Sequence, residues 1–200
     1  MRIGILGAGM IGGTLGALFA KAGHDVLVAS RSTEKRDALI ARIGAKARAT
    51  SVDEAVSSSE VVLLAVPLAA VPELGEHHRA QFANKVVLDA CNPFRGRDGD
   101  LADRALDHAK GSAGFVADAL GGGAHVVKAF NTVYFKTLET EAHREGERVG
   151  IPLATDHADA LTVVEQLVRD AGFDPVHTGA LETCKRFEVC LLYTSPSPRD

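Results

Sequence analysis

The chain has 200 residues, a mass of 21.0 kDa and a formal charge of −4 from 22 basic and 26 acidic side chains. An apolar content of 46% is enough to build a buried core, which excludes long-range disorder. The mildly acidic balance offers no net attraction to nucleic acid or to an anionic membrane, and 5% aromatic residues are too few for a base-stacking surface. Three cysteines, Cys91, Cys184 and Cys190, form neither a CxxC pair nor an even framework. A disulfide scaffold and a cysteine zinc module are therefore not expected, and a reducing compartment fits. The longest apolar run, 61–71, is interrupted by Pro67 and closed by Pro72, short of bilayer length. The apolar opening from Met1 carries a single arginine where an export signal needs a basic region, so a cytoplasmic protein is expected.

Strand-like and helix-like segments alternate from the start. Residues 2–6 read as a short β-branched strand, 15–22 as helical, and Gly23 as a stop signal. A second strand is expected over 25–29. Ser32-Thr33-Glu34-Lys35 then caps a helix reaching about Ile43, with Gly44 to end it. Residues 46–49 suggest a third strand, and 51–57 a helix with Asp53 and Glu54 in its first turn. The runs 60–66, 85–90 and 125–130 are apolar almost throughout, as strands buried on both faces are. This pattern calls for an α/β fold of the doubly wound Rossmann type, a mainly parallel sheet covered by helices. Residues 95–103, polar and containing Gly96 and Gly99, read as an exposed loop. After Asn131 the rhythm changes to a charged helix and loop over 136–147, a strand over 148–154, a helix over 156–171 and a strand over 173–177. This is either a small C-terminal α/β lobe or a continuation of the sheet. The expected division is a nucleotide-binding domain over 1–134, a small lobe over 135–189, and a disordered or non-native tail over 190–200.

The strongest chemical signal is Gly7-Ala8-Gly9-Met10-Ile11-Gly12, placed after the first strand and opening the first helix. Gly7 permits a tight turn, Gly9 lets backbone approach a pyrophosphate, and Gly12 lets helix and strand pack closely. The helix N-terminus then presents free N–H groups and partial positive charge to the phosphates. After the second strand, an NAD site requires an acidic residue for the ribose hydroxyls. This chain has Ser30-Arg31-Ser32 there, with Lys35 and Arg36 a turn later, a set suited to a 2′-phosphate; Asp25 sits too far back, at the strand's start. NADP is therefore expected in preference to NAD. Ala65-Val66-Pro67 ends a buried strand where open α/β sheets bind ligands, and Cys91-Asn92-Pro93 ends the next. Cys91 has no adjacent base and reads as a small buried residue; Asn92 suits either a turn or a ligand. No metal site is expected. Among the eight histidines His77 and His78 are neighbours pointing apart on a helix, read as a solvated pair, and no HExxH or HxxxH spacing occurs. Asp98, Asp100 and Asp103 lack the spacing of a calcium loop, and no serine sits in a nucleophile elbow. Hydride transfer between two bound molecules needs orientation rather than a proton shuttle.

These motifs, together with Val127-Lys128-Ala129-Phe130-Asn131-Thr132, resemble the NADPH-dependent coenzyme F420 reductase family, from Met1 to about Leu181 (F420 is a deazaflavin). The resemblance implies NADP held by Gly7 to Gly12, with Ser30, Arg31 and Lys35 around the 2′-phosphate. It also implies Val66 and Pro67 along the cofactor, and Ala129 to Thr132 near the nicotinamide and the deazaflavin pocket. Asn131 is either an orienting donor or a strand cap. In that family a hydride passes directly between nicotinamide C4 and deazaflavin C5. The implied partners are a small-molecule redox acceptor and often a second copy of the chain, with no nucleic acid or membrane. Three readings follow: hydride exchange between NADP(H) and coenzyme F420, an NADPH-dependent reductase with a flavin, ferric iron or small imine as acceptor, and a non-catalytic NADP-binding module. Family members continue past Leu181 into a helix. Residues 182–189 are a start for one, and the Pro- and Ser-rich end from Cys190 departs from the pattern.

Overall fold

The computed structural model describes residues 1–188, and the tail expected over 190–200 lies outside them. Eight strands form one sheet in the order β3-β2-β1-β4-β5-β6-β7-β8. They are β1 (Arg2–Leu6), β2 (Asp25–Ala29), β3 (Ala47–Ala49), β4 (Val61–Leu64), β5 (Val86–Asp89), β6 (His125–Lys128), β7 (Gly150–Ala154) and β8 (Asp174–Gly179). The first six strands are parallel, β7 joins β6 antiparallel through Lys128 and Ala154, and β8 is parallel to β7. This is the doubly wound arrangement expected.

The continuous apolar strands follow from burial on two sides. Ile3, Ile5, Val61 and Leu63 point into one apolar core, while Leu6, Val62 and Leu64 point into the other. The first core is closed by helices α1 (Met10–Lys21), α2 (Thr33–Ile43) and, further along the chain, α9 (Ala158–Asp170). The second is closed by α3 (Val52–Ser57), α4 (Val71–Phe82) and α7 (Gly111–Ala119). Close approach is required on that side: a Cβ at Gly4 would stand 2.3 Å from the Ala55 carbonyl oxygen of α3. The capping signals behave as read. Ser32 Oγ accepts from Lys35 N at 3.3 Å, Ser51 Oγ accepts from Glu54 N at 3.1 Å, and Gly44 ends α2 at φ 75°.

Two expectations need correction and one open alternative is decided. Residues 95–103 are not an exposed loop but the short helix α5 (Arg95–Asp98) and the start of α6 (Asp100–Asp107), separated by Gly99 at φ 55°. Asp98 is buried there, because its carboxylate accepts from Phe94 N at 3.0 Å and Ala69 N at 3.3 Å. Burial pushes its pKa up, but Arg97 and those two amides outweigh burial and hold it below the ordinary carboxylate range. Of the two arrangements open for the C-terminal unit, the structure has the continuation. β7 and β8 extend the same sheet, and Ile151, Leu153 and Phe173 share a core with Ile3 and Ile5. Finally, Leu181–Phe187 winds as a 3₁₀ helix rather than an α-helix, whereas α8 (Phe135–Glu141) and the loop after it follow the expected helix and loop.

Candidate dinucleotide site

The site lies at the carboxyl ends of β1, β2 and β4, where the chain leaves the sheet. Gly7 turns the backbone out of β1 at φ 104°, a conformation that a side chain disfavours. A Cβ at Gly7 would also lie 2.4 Å from the Ala65 carbonyl oxygen. A Cβ at Gly12 would lie 2.0 Å from the Gly7 carbonyl oxygen, so Gly12 is the packing glycine the sequence suggested. Gly9 differs from both: no atom lies within 4 Å of a Cβ built on it, and its backbone is extended at φ −75°, ψ −169°. The space in front of Gly9 is open.

Helix α1 begins at that space without a side-chain cap and without an acidic residue in its first turn. By contrast, α2 and α3 both have serine caps and first-turn acids. The first amide groups of α1 therefore remain available as donors, and the dipole favours an anion there. A cavity of about 650 Å³ runs from this point to the end of β2. Gly7, Ala8 and Gly9 line one end, Ser30, Arg31, Ser32 and Lys35 the other, and Val66 and Pro67 the wall between. Among the described residues neither Arg31 nor Lys35 forms an ion pair with a carboxylate, whereas Arg36 is paired with Asp37 at 2.9 Å. Asp25 is engaged at the far end of β2 by Lys46 at 3.1 Å, which holds its carboxyl below the ordinary range. These features suit a dinucleotide carrying a 2′-phosphate: an open cradle, uncapped helix donors and, at the β2 end, two cations without a carboxylate partner among the described residues.

The other expected residues are placed differently. Met10 is exposed and lines an adjoining groove of about 400 Å³ with Phe135 and Glu139. Ile11 packs against the core and does not line the cavity. Ala129 is fully buried. Asn131 is also buried; its Nδ2 donates to the Phe187 carbonyl at 3.0 Å and ties the strand end to the C-terminal segment, while its Oδ1 is buried with no partner among the described residues. Asn92 does likewise, donating from Nδ2 to the Asn131 carbonyl at 2.8 Å. Cys91 is buried as read, and burial pushes its thiol well above the ordinary range.

Two features escaped the sequence reading. Glu73, Leu74, His77 and His78 of α4 also line the cavity; His77 is exposed, as read, whereas His78 is half-buried and bonds Asp53 at 3.0 Å. Beneath the strand ends, Lys128 is fully buried and donates to Asp89 Oδ2 at 3.0 Å and the Cys91 carbonyl at 2.6 Å. Burial pushes this ammonium down, but the Asp89 and Glu188 carboxylates outweigh it and hold its pKa above the ordinary lysine range. Sequence periodicity had marked Lys128 only as one position of an apolar strand.

Fold and cavity together define a Rossmann-type architecture with an open cavity at the carboxyl ends of its first strands. Residues 2–93 match the model of the family described as NADP oxidoreductase, coenzyme F420-dependent, which bears out the resemblance seen in the motifs. The chain is 29% identical over 202 residues to the metalloreductase STEAP3 of Rattus norvegicus, covering 98% of this chain and 37% of that protein. It is also 29% identical over 207 residues to an F420-dependent NADP reductase of Methanothermobacter thermautotrophicus, covering 94% and 87% of the two chains. Among solved structures, a hypothetical protein SMa0349 from Sinorhizobium meliloti superposes with a TM-score of 0.78 at 28% identity, over 94% of this chain and 89% of that one. What these likenesses share is NADP-linked or metal-linked oxidoreduction, as the family and the two named relatives are described. No helix among the described residues is long and apolar enough to cross a membrane.

Proposed function

We propose that this chain binds NADP(H) in the β1–β2–β4 cavity and exchanges a hydride between it and a deazaflavin of the coenzyme F420 class. The observation that carries the NADP half is the pairing of an uncapped α1 N-terminus with Arg31 and Lys35, which meet no carboxylate among the described residues, across one cavity. Support for the acceptor comes from the family description matched by residues 2–93 and from the F420-dependent relative aligned over most of its length. When bound, the nicotinamide supplies the carbon that gives or takes the hydride. The chain's own part is to hold the diphosphate with the α1 amides, anchor the 2′-phosphate with Arg31, Lys35 and the Ser30 and Ser32 hydroxyls, and align the cofactor along Val66 and Pro67. A second reading, reduction of a metal ion such as ferric iron, is favoured by the metalloreductase relative.

Acceptor specificity decides between them. NADPH oxidation followed by its absorbance is expected with the deazaflavin and not with free flavin or a ferric chelate. Turnover with the chelate alone selects the second reading, and binding without turnover on any acceptor rejects both. The 2′-phosphate assignment has its own test. Arg31→Ala is expected to weaken NADPH by about 2 kcal/mol, the scale of a lost charged hydrogen bond, while NADH binding barely changes. Calorimetry showing equal losses for both cofactors would contradict it.

A further inference from the structure

A second cluster of chemistry-bearing side chains lies at the opposite edge of the sheet. β6 runs parallel to β1 through β4 and β5, so its first residue, His125, lies at the amino edge, whereas the dinucleotide cavity opens at the carboxyl edge. His157 is the residue preceding α9, and Asp159 lies in that helix's first turn. His125 Nδ1 lies 3.0 Å from Asp159 Oδ2. The two imidazoles stack with ring centres 4.1 Å apart and planes within 9°. One potential ligand atom from each of the three residues lies within 4.8 Å of the others. The scaffold beneath them is locked by one hydroxyl: Thr155 Oγ1 donates to the Val126 carbonyl at 2.7 Å and accepts from His157 N at 3.1 Å. The residue beside His125 and the backbone of His157 are thus tied to the same atom.

We propose that His125, His157 and Asp159 form a binding site for a divalent transition metal of the zinc class, clipping the start of β6 to the start of α9. Two imidazole nitrogens and one carboxylate are a donor set for Zn²⁺, Ni²⁺ or Cu²⁺, whereas Mg²⁺ and Ca²⁺ require a shell of oxygens. Lys110, the cation facing His157, is already paired with Asp156 at 2.7 Å. Both rings are only partly buried, so a rotation of the stacked pair can bring their nitrogens to the roughly 2.0–2.1 Å that zinc requires. Because the two histidines come from different elements, no short HxxxH spacing could have disclosed the cluster.

The test is calorimetric titration of the full chain with zinc chloride, with thermal melting alongside. One zinc per chain at micromolar affinity is expected, with a raised melting midpoint and no response to magnesium. His157→Gln is expected to weaken zinc roughly tenfold or more and remove the thermal shift; Asp159→Asn, on the helix surface, is expected to weaken it as well. NADPH binding, at the other edge of the sheet, confirms that each variant is folded. No zinc binding at millimolar concentration, or binding unchanged in both folded variants, overturns the proposal.

Discussion

Gly9→Val is expected to abolish NADP(H) binding while leaving the protein folded. The fold half of this expectation rests on two observations. No atom lies within 4 Å of a Cβ at Gly9, and its backbone, φ −75° and ψ −169°, is one that β-branched residues adopt readily. The binding half rests on where that empty space lies. It stands in front of the uncapped end of α1, whose amide groups are backbone donors suited to a diphosphate. A valine side chain occupies the approach and denies the ligand several charge-assisted hydrogen bonds at once. Losing about 3 kcal/mol or more corresponds to over a hundredfold in affinity. Gly12→Val makes the contrast, because its side chain would meet the Gly7 carbonyl at 2.0 Å and damage the fold itself. Fluorescence titration with NADPH beside far-UV circular dichroism separates the two. A Gly9→Val protein that still binds NADPH normally would remove the cradle from its proposed place.

The cradle was legible in the sequence because each of its requirements is local. A turn with positive φ, an open approach and a tight helix–strand contact each leave a glycine at a fixed offset, and the loop after β2 shows its charge directly. Capping was legible for the same reason, as Ser32, Ser51 and Gly44 show. What depends on distant parts of the chain was not. The C-terminal strands join the same sheet because Ala154 pairs with Lys128, a contact no local pattern announces. Residues 95–103 looked like a polar loop because the amides that satisfy Asp98 include one from Ala69. The partner of Asn131 Nδ2, the Phe187 carbonyl, lies far along the chain and left no local trace. Lys128 was hidden most completely: a lysine at the end of an apolar strand is normally solvated, and only its partner on β5 shows why it is not.

That lysine is expected to be the most costly single loss in the molecule. Lys128 and Asp89 are both fully inaccessible, joined at 3.0 Å, and Lys128 also donates to the Cys91 carbonyl at 2.6 Å. Lys128→Met keeps the length and apolar stem of the side chain but removes the charge and all three donors. The Asp89 carboxylate is then left buried with only the Cys91 amide, which donates to its Oδ1 at 2.9 Å, and the nearby Glu188 carboxylate loses its counter-charge as well. Breaking one side of a buried pair costs about 3–5 kcal/mol, far more than the intact pair contributes over an apolar substitute. The same reasoning predicts partial rescue. Adding Asp89→Asn to Lys128→Met removes the uncompensated charge, while the new amide oxygen still accepts from Cys91 N, so the double variant should be more stable than Lys128→Met alone. Urea unfolding of the three variants and the parent forms a closed cycle, and the coupling term should be large and of the sign that marks rescue. A loss below about 1 kcal/mol for Lys128→Met, or additive losses in the double variant, would mean that water reaches Asp89 once the lysine is gone. The floor beneath the loops ending β5 and β6 would then be softer than the packing of Asn92, Asn131 and Phe187 around it requires.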